Sequence, residues 1–335
     1  MSRFQWAKCQ LDYLCLLSTD KERRKALETL PKDLFETYKR ILDRVNDSTS
    51  GNQVLVEKTL RWLAFAEEDL TATDITTAIA IQINSKSLDE DDIPDEDSVL
   101  WWCSSMVSRY EKVLELSHFT VKEFLLDDRL LENPDLRRYH LKPETSHAIL
   151  AKVCLTYITM DEFSSFEIGE PFALTKIHDR YPFLHYAVCN WLIHSNGHDE
   201  DSDIFDLTCR LFDPLKTTQY LMWISVLFQE RNTTPPRSAS TLHLAASLGL
   251  TKVCEWLVEN DVDINYNNKY LGTPLICAIR GVAFDENDEI DGRDPSPDTV
   301  RSLLKHGARG TEEVVLIPTT LETLDVTTST EAKTP

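Results

Sequence analysis

A short stretch near the C-terminus decides the fold of this chain: Ser240-Thr241-Leu242-His243-Leu244-Ala245-Ala246. The same order begins again at Thr273-Pro274-Leu275, so that Leu242 and Leu275 lie 33 residues apart. An apolar pattern with helical spacing follows each copy. Self-similarity at a fixed period of about 20–50 residues indicates stacked supersecondary units. The C-terminal part of the chain is therefore predicted to be a short array of helical repeats.

The period and the residue types resemble those of ankyrin repeats, whose period is about 33 residues. The small alanine pair lets two helices approach closely, and Gly307 ends a helix where a positive φ is needed. His243 is interpreted as a structural turn residue and not as a catalytic base. The positions that carry the resemblance are Thr241, Leu242, His243, Ala245, Ala246, Gly249, Thr273, Pro274, Leu275, Ala278, Leu303, Leu304 and Gly307.

Two repeats are predicted over residues 235–310, and the second is longer than the first. Leu257 and Leu303 occupy equivalent positions but lie 46 residues apart, which leaves room for an acidic insertion around residues 285–297. Because about three repeats are normally needed for stability, these two are expected to pack against the preceding helices. The Thr- and Glu-rich tail, 311–335, is expected to be mostly disordered, and a degraded third repeat within it stays an open alternative.

The upstream chain is predicted to be mainly α-helical with one small β-hairpin. Three helical patterns between Gln53 and Ser105 are followed by two β-like runs, Met106–Arg109 and Val113–Leu116. Helix, helix, helix and hairpin is the order of a winged helix, which predicts a winged-helix-like domain over 51–130. A helical lead-in covers 1–50, and a helical spacer covers 131–234 up to the break at Pro235-Pro236.

An ordered series of upstream segments resembles fungal NACHT–ankyrin proteins, which are STAND-type, NLR-like signalling ATPases. The segments are Phe4-Gln5-Trp6-Ala7, Leu30-Pro31, Leu60-Arg61-Trp62-Leu63-Ala64-Phe65, His118-Phe119-Thr120-Val121-Lys122-Glu123-Phe124-Leu125 and Tyr181-Pro182-Phe183-Leu184-His185-Tyr186-Ala187. The resemblance implies that residues 1–50 are the end of a NACHT region and that the repeats sense a ligand. No G-x-x-x-x-G-K-[ST] occurs, so nothing cradles nucleotide phosphates and no cofactor is expected.

The expected function is non-enzymatic protein–protein recognition, as in the sensor half of an NLR-like signalling protein. A protein partner is expected to contact the inner helix faces and the segment between the repeats, through Tyr266, Asn267, Asn268, Lys269 and Tyr270. Two alternatives stay open: a subunit acting in trans with a P-loop partner in an ATPase complex, or a truncated gene model of a complete NACHT–ankyrin ATPase.

Charge and missing motifs argue against several other functions. The formal net charge is −21, and the third winged-helix segment, Ser98–Cys103, has no basic residue to contact phosphate, so nucleic-acid binding is not expected. Cys189, His194 and His198 lack a fourth neighbour for structural zinc, and no metal site is predicted. No G-x-S-x-G or H-E-x-x-H motif occurs, so neither catalysis nor a small-molecule substrate is expected.

The expected compartment is the cytoplasm, with the nucleus not excluded. The N-terminus has no apolar run of signal-peptide length, and no apolar stretch approaches the ~18–20 residues that a membrane span requires, so no membrane contact is expected.

Overall fold

The computed structural model describes residues 2–165, 180–230, 237–281 and 296–309. It divides into two compact units. The described residues of Met1–Met160 and Glu170–His198 form the N-terminal unit, and those of Asp161–Gly169 and Asp199–Pro335 form the C-terminal unit. The predicted acidic insertion lies largely, and the predicted tail entirely, outside the described residues.

The N-terminal unit is built mainly from helices. They are α1 (Ser2–Leu16), α2 (Asp20–Glu28), α3 (Leu34–Asn46), α4 (Ser50–Phe65), α5 (Ala72–Ala80), α6 (Glu96–Cys103), α7 (Phe119–Leu125), α8 (Arg129–Glu132), α9 (Pro143–Ile158) and α10 (Leu184–Ser195). The described residues of this unit also form three short strands: β1 (Leu70–Thr71), β2 (Val107–Tyr110) and β3 (Val113–Leu116). The prediction of a mainly α-helical fold with a small hairpin is confirmed.

Side-chain caps fix where several of these helices begin. Thr71 accepts a hydrogen bond from the backbone of Asp74, whose carboxylate accepts one in return, so that a capping box starts α5 as the sequence pattern predicts. Thr19 and Glu22 form the same box at α2. The sequence analysis missed α2, although the Thr-x-x-Glu pattern at its start was readable.

The sheet is antiparallel, with β3 between β1 and β2. Leu70 pairs with Leu114, and Val107 pairs with Leu116. The predicted hairpin thus has a third strand, β1, which the sequence analysis did not anticipate. A strand of two residues is too short to show the alternation of apolar and polar side chains that identifies strands.

Part of the core of the N-terminal unit lies where α9 packs against α4 and α10. Trp62 contacts Phe183 and Tyr186 edge to face, with ring centroids 5.2 and 5.6 Å apart. All three aromatic side chains are buried. Such offset aromatic pairs stabilise a core beyond the area that they bury, and polar side chains lie beside this one.

The described residues of the C-terminal unit form six α-helices, and the last four of them make two pairs in the predicted repeat order. The helices are α11 (Ser202–Leu211), α12 (Thr218–Glu230), α13 (Thr241–Ser247), α14 (Thr251–Glu259), α15 (Pro274–Arg280) and α16 (Pro297–Lys305). The first helices of the pairs, α13 and α15, lie side by side, as do the second helices, α14 and α16. Because α11 also contacts α14, the array packs against a preceding helix.

Candidate functional site

The segment that joins α14 to α15, residues 263–272, is here called the finger. Its tip is closed by backbone pairing: the Asn268 N–H donates to the Gly272 carbonyl at 2.8 Å, and the Gly272 N–H donates back at 2.9 Å. Gly272 has a φ of +76°, and a Cβ at this position would lie 2.8 Å from Ile276 Cδ1. The positive φ therefore favours glycine at this position, and a larger residue would also displace the end of the Ile276 side chain.

Asn268 holds the finger from within. Its side-chain oxygen accepts hydrogen bonds from the backbone N–H groups of Tyr270 and Leu271, at 2.9 and 3.2 Å. Its amide nitrogen donates to the Ser238 hydroxyl at 3.0 Å. Asn268 is only 3% exposed, so its side chain shapes the turn and offers no surface to a partner.

His243 fastens both sides of the finger to α13. Its Nε2 lies 3.1 Å from the carbonyl oxygens of both Tyr266 and Gly272, so Nε2 carries the proton and donates to them. Its Nδ1, 2.7 Å from the Ser240 hydroxyl, then accepts a hydrogen bond from it. Burial lowers the pKa of the imidazole, which favours this neutral form. The geometry thus places His243 in a structural position.

The remaining finger side chains face solvent to different extents. Tyr270 is 76% exposed, and the Lys269 ammonium lies 5.4 Å from the centre of its ring. Asn267 is exposed as well. Tyr266 is 42% exposed and packs edge to face on the His243 ring, with centroids 5.6 Å apart. The five residues that the sequence grouped together are adjacent, but they divide into a supporting and a presenting set.

The base of the finger is tied to the end of the second repeat through Asn265. Its side-chain nitrogen donates to the Gly307 carbonyl at 3.3 Å, and its side-chain oxygen accepts from the Arg309 N–H at 2.8 Å. Gly307 has a φ of +96°, which glycine adopts without strain. The finger is therefore held at both of its ends.

The inner helices offer almost no surface beside the finger. Every residue of α13 is buried, and α15 is buried from Pro274 to Ile279, with only Arg280 exposed. Most of the predicted repeat positions are buried in and around these helices: Thr241, Leu242, His243, Ala245, Ala246, Thr273, Pro274, Leu275, Ala278 and Leu303. Gly249 has a φ of +72°, and Leu304 is half-buried. The inner faces therefore do not form the exposed surface that the sequence analysis expected.

A second group of polar side chains lies in the N-terminal unit, around His194. This residue is fully buried, and its Nδ1 lies 2.8 Å from Nδ1 of His147 on α9. Its Nε2 lies 2.7 Å from the Tyr186 hydroxyl, which also accepts a hydrogen bond from the Glu67 backbone N–H at 3.1 Å. One donor atom each from Glu67, His147 and His194 lies within 4.8 Å of the others.

Burial sets the ionisation of this group. It lowers the pKa of His194 to about 3, with the neighbouring His147 as a smaller cause. Burial also lowers the pKa of His147 and raises that of the Tyr186 hydroxyl. Both imidazoles are thus neutral near pH 7. One of the two facing Nδ1 atoms then donates its proton to the other.

The sequence analysis considered His194 as a metal ligand together with Cys189 and His198. The structure groups His194 with Glu67 and His147 instead. No local pattern joins these residues, because Glu67 follows α4, the two histidines lie on different helices and the histidines are 47 positions apart. Only packing of α9 against α10 brings them together.

Within the described part of the chain, no helix is both long and apolar enough to span a membrane.

Six cysteines are buried, namely Cys9, Cys103, Cys154, Cys209, Cys254 and Cys277. Burial raises the pKa of their thiols, to about 12 for Cys103, and this keeps them protonated.

Comparison with protein families finds ankyrin repeats (many copies) over residues 242–281. This confirms the ankyrin prediction for that segment. Among curated proteins, "Azaphilone pigments biosynthesis cluster protein L" of Monascus ruber is 25% identical over 219 residues. The match covers 62% of this chain and 44% of that protein, so the chain corresponds to less than half of its relative. No solved structure matches the chain significantly.

Proposed function

We propose that this chain is a non-enzymatic, regulatory protein that recognises a protein partner through the finger. The observation that carries the proposal is Tyr270, a large aromatic side chain that is 76% exposed on a backbone fixed from several sides. Ankyrin repeats at 242–281 support recognition of a protein in general. Exposed tyrosines are frequent sites of strong binding at protein interfaces.

The fixed backbone makes binding through the finger more favourable. His243, Asn268 and Asn265 hold the loop by hydrogen bonds to its tip and its base. A loop that is already ordered loses little conformational entropy when a partner binds. Lys269 beside the Tyr270 ring adds a positive charge, so the finger presents an aromatic ring, a cation and the amide of Asn267 to a partner.

We further propose that the chain resembles the sensor half of a NACHT–ankyrin signalling protein and acts in the cytoplasm. The succession of α4, β1, α5, α6, β2 and β3 supports a winged-helix-like unit. Such a unit here is better suited to protein docking than to DNA: Arg109 on β2 pairs with Glu96 at 3.5 Å and Asp97 at 4.0 Å. These acids begin the helix that would have to approach phosphate.

Affinity capture from an extract of the native organism tests the finger. Tagged wild-type chain is compared with Tyr270→Ala and with the control Tyr110→Ala, which removes a tyrosine of similar exposure, 70%, from β2. We expect at least one protein that wild type and the control both retain to fall about tenfold with Tyr270→Ala, the effect of losing about 1.4 kcal/mol at an interface.

Undiminished capture of every partner by Tyr270→Ala would contradict the finger as the binding surface. If Tyr270→Ala and Tyr110→Ala both lost the same partner, the loss would not be specific to the finger, and the finger would not be the binding surface. Because both tyrosines are exposed, neither change is expected to affect folding, and circular dichroism of the variants checks this.

A further inference from the structure

We propose that Glu67, His147 and His194 form a binding site for a divalent transition-metal cation such as Zn²⁺. This inference is independent of the finger, since all three residues lie in the N-terminal unit. It concerns a site at which a cation would join three separate elements of that unit.

The donor set has the chemistry that zinc prefers. Imidazole nitrogens and a carboxylate oxygen are common zinc ligands, and two histidines with one acid also suit other divalent first-row metals. The three donor atoms lie within 4.8 Å of one another. Glu67 follows the end of α4, His147 lies on α9 and His194 lies on α10, so the group exists only because the three elements converge.

The two imidazoles face each other through the atoms that would bind the metal. Their Nδ1 atoms are 2.8 Å apart, and the ring centroids are 5.1 Å apart, so the rings meet head on and share one proton. Two nitrogens bound to one tetrahedral zinc at 2.0–2.1 Å are separated by about 3.3 Å. A cation therefore replaces the shared proton if the rings move apart by about half an ångström and tilt. Of the two imidazoles, His147 is the one that is only partly buried.

The surroundings of His194 orient it as a ligand. Tyr186 lies 2.7 Å from Nε2 and is fixed in turn by the Glu67 backbone N–H, so Nε2–H donates to Tyr186 when Nδ1 binds metal. A hydrogen bond of this kind on the second ring nitrogen accompanies most metal-binding histidines. The edge of the Trp62 ring, with its centroid 6.4 Å from that of His194, restricts the imidazole further.

The three side chains differ in their exposure to solvent. Glu67 is exposed, His147 is partly exposed and His194 is buried. A cation can thus enter beside Glu67, and water completes the coordination, because three protein ligands leave a fourth tetrahedral position. A bound cation would join the end of α4 to α9 and α10 and stabilise the folded unit.

Equilibrium dialysis of the purified full chain against Zn²⁺ tests the proposal. Wild type is compared with His147→Gln, which removes a partly exposed ligand, and with the control His185→Gln. His185 lies on α10 outside the proposed site, and its Nε2 is 3.7 Å from a carboxylate oxygen of Glu68. The His185→Gln variant therefore shows how much Zn²⁺ binds to a nearby surface histidine. We expect one Zn²⁺ per chain for wild type and the control, and affinity at least about tenfold weaker for His147→Gln.

Thermal unfolding with and without Zn²⁺ gives a second readout, since a ligand that binds only the folded state stabilises it. Zinc is expected to raise the unfolding temperature of wild type and His185→Gln but not of His147→Gln. Glu67→Gln, a change at an exposed side chain, replaces any variant that fails to fold. The absence of stoichiometric binding, or binding that His147→Gln leaves unchanged, would overturn the proposal.

Discussion

The first helices of the two ankyrin repeats begin in different ways. In the second repeat, Thr273 caps α15 by accepting a hydrogen bond from the Ile276 N–H at 3.4 Å, and Pro274 follows at the first helical position. In the first repeat, the Ser240 hydroxyl turns instead to His243 at 2.7 Å, and Thr241 replaces the proline. The second repeat thus starts its helix with a side-chain cap. In the first repeat the equivalent residue, Ser240, instead supports His243, which holds the finger.

His243 and Ile276 occupy the same position of the repeat, and both support the finger. His243 does so through hydrogen bonds to the carbonyls of Tyr266 and Gly272. Ile276 does so through packing, because its side chain lies under Gly272. The comparison shows that the same repeat position can fix the finger by polar contact, from the helix before it, or by apolar contact, from the helix after it.

Replacing His243 by Ile, which gives the first repeat the residue of the second, should have the largest effect. The change leaves the Tyr266 carbonyl and the Ser240 hydroxyl without their partner, at about 1–3 kcal/mol for a buried polar group, whereas the Gly272 carbonyl keeps its hydrogen bond from the Asn268 N–H. We expect a loss of about 3 kcal/mol in the free energy of unfolding, measured by urea denaturation. Ile276→Val, the packing control, should lose only about 1 kcal/mol. Equal losses would mean that the hydrogen bonds of His243 add nothing to packing.

Gly272→Ala should rank next. Its φ of +76° is unfavourable for alanine, and the new Cβ would lie 2.8 Å from Ile276 Cδ1. We expect a loss of about 2 kcal/mol by urea denaturation. Gly307→Ala is the matched control, because Gly307 also has a positive φ, but no atom of the described residues lies within 4 Å of the new Cβ. Its loss should be about 1 kcal/mol, so a larger loss at Gly307 would refute the close-approach argument.

Acidification should weaken the first repeat through His243. Burial holds the pKa of this imidazole below its value in the unfolded chain. Below about pH 6.5 the unfolded chain binds a proton that the folded state resists, so stability is complete above that pH and falls below it. From pH 7 to 5.5, wild type should lose more stability than His243→Gln, with each pH unit contributing at most about 1.4 kcal/mol. Identical losses in parallel urea titrations would show that His243 does not titrate differently on folding.

Thr241→Pro should stabilise the first repeat by making its start resemble that of the second. The Thr241 hydroxyl is buried and has no hydrogen-bond partner among the described residues. Ser240 before it has φ and ψ of −72° and 160°, which suit a residue that precedes proline. We expect a gain of about 1 kcal/mol in the free energy of unfolding. Thr241→Ala, which removes the hydroxyl without fixing φ, separates the two causes. A loss with proline would show that the backbone N–H of Thr241 is needed.

The sequence analysis located the finger but did not resolve the roles within it. Asn268 and Tyr270 are both typical loop residues, and nothing in their neighbours distinguishes them. The structure buries Asn268 because Ser238 lies within reach of its amide, 30 residues earlier in the chain. Tyr270, whose backbone N–H donates to that same Asn268 side chain, is 76% exposed.

The sequence by itself determined the features that depend on local periodicity. The 33-residue spacing of the repeats and the helical spacing of apolar residues predicted most helices, since both patterns follow from contacts between residues close in the chain. Tertiary structure alone decided the grouping of Glu67, His147 and His194 and the attachment of the finger to His243. Those contacts join residues that are 23 or more positions apart, and their partners are selected by how the helices pack and not by any pattern along the chain.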